Sequence, residues 1–238
     1  MADRPGIFFI HIRKTAGTSI GSVLRKQYKP EEVCPIRSEL ELRMKVPERE
    51  DWKPLLTSYR YVGGHFYRIA PLLADDNFKV ITFLRDPLDR AISAFNHIKN
   101  DQRDVLHKFA ANLSFREAIT EPKLAIEFRN AQARFLIGNA GFDFNTLSRQ
   151  ERLEAAENFL KRIDFFGFQE LLSHSCRRLG DVLGVPFPAQ VPELNREITA
   201  KGVRRNDVLK DIGVFEANNV LDREIYVRAL QIFDQRFG

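Results

Sequence analysis

One stretch near the start of the chain, Ile7-Phe8-Phe9-Ile10-His11-Ile12-Arg13-Lys14-Thr15-Ala16-Gly17-Thr18-Ser19, limits the fold more than any other. Its first half is an apolar run, the pattern of a strand buried on both faces of a parallel sheet. The run stops at a short loop holding a lysine, a glycine and three hydroxyl residues, and helical spacing follows from Thr18 to Gln27. Strand, small-residue loop and helix N-terminus together make an anion site, because backbone N–H groups converge there and the helix dipole favours negative charge. Lys14 adds a full positive charge beside them. A phosphate or sulfate ester is the expected ligand. The plainer alternative is a tight turn whose polar residues only cap a helix.

Two further clusters stand at predicted strand ends. Lys79–Leu84 is the clearest buried strand and ends at Arg85-Asp86-Pro87. Pro87 suits the first turn of a helix, which Leu88, Ile92, Phe95 and Ile98 continue at helical spacing, and Asp86 reads as its cap. Tyr59–Val62 reads as a strand broken at Gly63-Gly64, with His65-Phe66 directly after. Helices are expected over Asp104–Ala111, Ser114–Ile119 and Ala125–Ile137, and from the capping box Ser148–Glu151 to Arg162. A strand over Asp164–Phe168, a helix over Glu170–Leu183 and a last helix over about Asn218–Phe237 complete the pattern. The charged segment Pro30–Pro54 reads as a surface excursion. Strands alternating with helices predict an α/β fold: three layers, P-loop-like, with a central parallel sheet flanked by helices. Ligands of such sheets sit at the carboxyl ends of the strands, which is where Lys14, His65 and Arg85 fall.

The chain of 238 residues suits one domain over 1–238, and its 44% hydrophobic and 29% charged content is that of an ordinary globular protein. The net charge of +5 favours anionic ligands but is too mild and scattered to indicate nucleic acid. No apolar run is long enough to span a bilayer, so no integral membrane segment is expected. Met1–Gly6 leaves no room for a secretory signal, which gives a cytoplasmic expectation. Cys34 and Cys176 have no CxxC or metal spacing and read as free thiols in a reducing compartment. No cluster with metal-ligand spacing is visible, so no metal is expected.

A Walker A loop places its lysine after the second glycine. Here Lys14 precedes Gly17, and an ATPase reading is weak. The order Lys14-Thr15-Ala16-Gly17-Thr18-Ser19 after a strand instead resembles the 5′-phosphosulfate loop of sulfotransferases that use 3′-phosphoadenosine 5′-phosphosulfate (PAPS). The fuller form from His11 to Ser19 is similar to the carbohydrate branch (sulfotransferase family 2) that includes the heparan sulfate 2-O-sulfotransferases. Arg13 departs from that branch, where proline is usual. The resemblance implies that Lys14, Thr15, Ala16, Gly17, Thr18 and Ser19 contact the 5′-phosphosulfate and that Arg85 and Ser93 contact the 3′-phosphate; Arg13, outside the pattern, adds charge near the phosphate or else faces solvent. An arginine fork and a hydroxyl suit a phosphate.

Gly64-His65-Phe66 resembles the motif that carries the base in the same branch, and neutral imidazole suits that role. The resemblance makes His65 and Lys14 the catalytic pair. The alternative for His65 is a histidine held by a structural hydrogen bond. His11 reads as a structural residue inside the first strand, and His97, His107 and His174 receive no role. Asn130 and Arg134 match the branch pattern; at i, i+4 on one helix face they line an acceptor cleft or else buttress the helix. Asn195-Arg196 and Lys201, Arg204 and Arg205 resemble a late loop that folds over the nucleotide; the alternative is a solvated basic loop.

The function the resemblance implies is sulfuryl transfer from PAPS, leaving PAP, to a hydroxyl of a saccharide. The expected partners are that small-molecule donor and a saccharide acceptor. Two other classes stay open: a nucleotide or sugar kinase with a diverged phosphate loop, and a non-catalytic module that binds a polyanion. A kinase would need Mg²⁺ ligands and a lysine after the glycine. A binding module would have no need for His65.

Overall fold

The structure, a computed structural model, describes residues 5–73, 77–188, 191 and 202–238. Four parallel strands form one sheet: β1 (Gly6–Ile10), β2 (Tyr61–Gly64), β3 (Phe78–Leu84) and β4 (Phe165–Phe168), in the spatial order β2-β1-β3-β4. The register pairs Ile10 with Gly64 on one side and with Thr82 on the other, and Leu84 with Phe168. Every residue of β1, β2 and β4 is buried, as a sheet covered on both faces requires. The connection from β1 leads to one neighbour and β3 pairs on the opposite side. The crevice outside their carboxyl ends is therefore the topological switch point, where ligands of such sheets bind.

Two helices begin at that crevice: α1 (Gly17–Arg25) after β1, and, later in the chain, α5 (Pro87–Asn100) after β3. Between them lie α2 (Glu39–Lys45), α3 (Trp52–Thr57) and α4 (Ala70–Leu73). One apolar core joins the sheet to its covering helices, including the helices Arg149–Arg162 and Val220–Phe237. A second cluster lies on the far side of α5, where Phe95 and Ile98 pack with Phe115, Phe128 and Phe215. Cys34 and Cys176 are buried free thiols, and burial raises both, Cys176 to about 11. No helix among the described residues is long and apolar enough to cross a membrane.

Four sequence expectations change. The second strand runs through Gly63 and Gly64 rather than breaking at them. At Gly64 an added Cβ would stand 2.0 Å from the Arg37 carbonyl oxygen, so glycine is what lets segment 33–38 lie against β2. That segment bridges to the strand at Val33–Tyr61 and Ser38–His65. The excursion over residues 30–54 is consequently part of the core, with Cys34, Ile36, Leu42 and Trp52 all buried. The expected helix over Ala125–Ile137 is two helices, Ala125–Phe128 and Ala131–Asn139, split at Arg129 and at Asn130, which is left-handed with φ 49°. The helix expected from Asp104 is only His107–Ala110.

Candidate functional site

The loop from β1 into α1 holds two non-glycine residues in the left-handed region, Lys14 at φ 66° and Ala16 at φ 65°. Each such residue costs of the order of 1–3 kcal/mol, so a pair in one turn marks a backbone shaped for something other than stability. Left-handed residues of this kind turn successive N–H groups into one concavity, an anion nest. Thr15 is buried and its hydroxyl donates to the Ile12 carbonyl at 2.9 Å, which pins the turn from inside. Ala16 is the N-cap of α1 and has no side-chain oxygen to cap it. The first-turn N–H groups therefore stay available to a ligand. Gly17 is required here: a Cβ on it would stand 1.9 Å from the His11 ring.

This loop forms one wall of a cleft of about 620 Å³ at the carboxyl ends of the strands. His65 follows β2, His11, Arg13, Lys14 and residues 16–19 follow β1, Arg85 follows β3 and Gln169 follows β4, and all reach the lining. Of the thirteen loop, strand-end and helix positions expected to hold the donor or act on it, Arg13, Lys14, Ala16, Gly17, Thr18, Ser19, His65, Arg85, Ser93 and Arg205 line this one space. Thr15 contributes by holding the turn. Arg204 is exposed outside the lining, its N–H donating to Asp207. Lys201, with Asn195 and Arg196, lies outside the described residues.

Each charge in the cleft has a distinct setting. Burial, with Arg13 and Arg85 nearby, lowers the Lys14 ammonium to about 8. Arg85 donates from Nη1 to the Lys14 carbonyl at 3.3 Å, while its Nε is buried without a partner among the described residues. Gln132 fixes the Arg85 backbone from both sides, accepting from its N–H at 3.0 Å and donating to its carbonyl at 2.8 Å. Arg13, part-exposed in the cleft wall, does not stand free beside the nest: it is paired with Asp104 and, at 3.4 Å, with Glu127. Arg205 pairs with Asp89 at 2.7 Å and with Asp86 at 3.2 Å. Asp86 caps α5 as expected, accepting from the N–H groups of Leu88 and Asp89.

His65 donates from Nδ1 to the His11 carbonyl at 2.7 Å. A carbonyl can only accept, so the ring proton sits on Nδ1 and Nε2 keeps its lone pair. Burial lowers the His65 imidazole below its ordinary 6.5, which keeps that lone pair free at neutral pH. The ring centroids of His11 and His65 are 4.5 Å apart.

The structure adds residues that the sequence did not place in the site. His11 lies just past the end of β1 rather than inside it and lines the cleft. Asp89, Asn96 and His97 join Ser93 on the cleft face of α5. Their positions repeat every three to four residues, a polar stripe that helical spacing alone could have revealed. Asn96 holds Val203 by two hydrogen bonds, at 2.9 and 3.0 Å, and so draws the end of the late loop against the cleft.

Asn130 and Arg134 are not in the lining. Asn130 bonds Asn219 and Asp222 of the final helical region at 2.8 and 3.0 Å, and the Arg134 guanidinium lies 4.1 Å over the Phe144 ring. Their contacts are those of the buttressing alternative.

Comparison with known proteins agrees with this architecture. The sulfotransferase family model matches residues 1–233. Heparan-sulfate 6-O-sulfotransferase 3-B of Danio rerio is 24% identical over 275 residues, covering 97% of this chain and 64% of its own length. Heparan-sulfate 6-O-sulfotransferase 2 of Homo sapiens is 25% identical over 279 residues, covering 97% of this chain and 45% of its own. This chain thus spans less than two thirds of either relative. Both relatives are 6-O-sulfotransferases, whereas the motifs above were likened to the 2-O enzymes.

Proposed function

The chain belongs to the sulfotransferase family, and on that premise we propose that it transfers the sulfuryl group of PAPS to a hydroxyl of a saccharide. The observation that carries the reading is the convergence of the open α1 N-terminus, Lys14, Arg85 and the Nδ1-protonated His65 on one cleft. The residues present fit the donor. The nest with Lys14 suits the 5′-phosphosulfate. The buried, unpartnered Nε of Arg85, with Ser93 one and a half turns into α5, suits the 3′-phosphate.

In the reaction, His65 Nε2 takes the proton of the acceptor hydroxyl as the acceptor oxygen bonds to sulfur. The sulfur–oxygen bond to the 5′-phosphate breaks, and its electron pair stays on the phosphate oxygen. Lys14 and the first-turn N–H groups of α1 stabilise the charge that develops there. The His11 carbonyl stabilises the imidazolium that forms, because its bond to Nδ1–H strengthens when the ring becomes positive. Arg85, its backbone fixed by Gln132, holds the other end of the donor in register, so that the sulfuryl group stays in line with the acceptor.

The test is thermal stabilisation by PAP against ATP–Mg²⁺. A ligand of the folded state at a hundred times its Kd stabilises by about 2.7 kcal/mol. PAP should raise Tm by several degrees and ATP–Mg²⁺ by much less. Preferential stabilisation by ATP–Mg²⁺ would favour the kinase reading instead. Transfer of label from [³⁵S]PAPS to a saccharide then separates an enzyme from a binding module.

A further inference from the structure

The two ends of the cleft differ in charge. At the end facing β3 and β4, Arg85 has no carboxylate within ion-pair distance among the described residues, and neither has Lys14 at the centre. At the end facing β2, the one arginine among the described lining residues is Arg13, and it is tied to Asp104 and Glu127. Glu127 is shared with Arg90 at 2.9 Å, so this buried group of two arginines and two carboxylates has no net charge. The other lining side chains at this end are His11, His65, His97, Asp104 and the apolar Val105, which is 79% exposed at the mouth. Burial lowers all three imidazoles, which favours their neutral forms, and His97 Nε2 stands 3.7 Å from Asp104. The adjoining rim repeats the pattern, with Arg103 paired to Asp101 at 2.9 Å.

PAPS itself brings about four negative charges at pH 7, given a second phosphate pKa near 6. Lys14, Arg85 and the α1 N-terminus are already engaged by it. Among the described residues that line the cleft, an anionic acceptor would meet no uncompensated cation beside His65, and would approach a carboxylate, Asp104, that is only 6% exposed and held by Arg13. Like charges brought together in a half-desolvated cleft cost more than they do in water.

Resting on the sulfotransferase reading, we infer that the acceptor is a saccharide uncharged around the hydroxyl that takes the sulfuryl group, and not a polyanionic chain. Arg13, which stands where the likened branch has proline, serves in this site as the partner of Asp104 and not as a ligand of substrate charge.

The experiment compares initial rates of ³⁵S transfer from PAPS to uncharged oligosaccharides (N-acetylated chito-oligosaccharides and malto-oligosaccharides) and to heparosan and N-sulfated heparosan. It is run from 25 to 250 mM NaCl. A parallel measurement titrates N-sulfated heparosan into the PAP-loaded protein. Uncharged acceptors should have a kcat/KM at least tenfold higher and nearly flat in salt, and N-sulfated heparosan should not bind the loaded protein at 150 mM salt. Asp104→Asn frees the Arg13 charge and should narrow the preference several-fold, with the Tm shift by PAP confirming that the variant is folded. A preference for heparosan that falls steeply with salt overturns the inference. Tight binding of N-sulfated heparosan to the PAP-loaded protein overturns it equally, even where no acceptor turns over. Failure of PAP to stabilise the protein is a different result: it removes the sulfotransferase reading on which the inference rests.

Discussion

The two helices that begin at the cleft start in opposite ways. α1 opens on Ala16, which has no side-chain cap, after a turn with two left-handed residues; α5 opens on Asp86, whose carboxylate accepts from two first-turn N–H groups. One N-terminus is therefore left open to an anion and the other is closed by the chain's own carboxylate. The difference assigns two modes of anion recognition. In the proposed function the α1 backbone and Lys14 hold the 5′-phosphosulfate, and the orientation of that group next to His65 decides the chemistry. At α5 the N–H groups of Leu88 and Asp89 are spent on Asp86, so the proposed function assigns the 3′-phosphate to side chains, Arg85 at the strand end and Ser93 on the helix face. Chemistry should depend on the first region and affinity on the second.

The largest effect that sharpens this contrast is on His65. His65→Ala should lower kcat by roughly 10²-fold or more, the contribution of a placed general base, while PAP affinity stays nearly unchanged. Rates from [³⁵S]PAPS, with PAP binding measured alongside, check this. A parallel loss of PAP binding would make His65 a residue of the nucleotide site and erase the division of labour.

The next effect lies at the α5 side. Arg85→Ala should weaken PAP by about 2 kcal/mol, roughly 30-fold, the scale of a lost charged hydrogen bond. Adenosine 5′-phosphosulfate, which lacks the 3′-phosphate, should lose far less. Calorimetric titration of both ligands decides the matter: equal losses would mean that Arg85 serves the α1 end through its bond to the Lys14 carbonyl.

The pH profile of kcat/KM should reveal two limbs from the α1 side. His65 is lowered from 6.5 by burial, so activity falls only on the acid side of that value, as Nε2 becomes protonated. Lys14 is lowered to about 8, so its charge is lost as pH rises through that value, and kcat/KM falls by roughly tenfold one unit above it. Lys14→Arg should move the alkaline limb to higher pH. A limb that stays in place belongs to another group.

The smallest effect is expected at Thr18. It is exposed, and the proposed function leaves the binding at α1 to the backbone. Thr18→Ala should change PAP affinity by about twofold or less, the range of an exposed substitution. A loss as large as that of Arg85→Ala would mean that side chains carry recognition at both helices.

What could be read from the chain beforehand was local. The β1 loop and the Arg85–Ser93 segment are each contiguous, and their chemistry follows from residue order: apolar run, turn, helix start. Asp86 as a cap and Ser148–Glu151 as a capping box were legible for the same reason, since a cap is satisfied within three or four residues. The break at Asn130 was not, because Asn219 and Asp222, about ninety positions away, hold that residue in the left-handed region. Apolar spacing through Ala125–Ile137 contains no sign of a distant helix. Nor does the pair Gly63-Gly64, read as a strand end, reveal that segment 33–38 lies against it and requires the missing side chain.

The sequence by itself determined the parallel α/β scaffold, the anion nest and the positions of Lys14, His65 and Arg85 at strand ends, because burial pattern and turn chemistry act over a few residues. The charge state of the site was decided only by tertiary structure. Whether Arg13 binds a substrate or is silenced depends on Asp104 and Glu127, 91 and 114 positions further on, which the sheet order and the turn after α5 bring to it. Electrostatic pairing depends on distance in space, and distance in space between remote residues is set by how the layers pack.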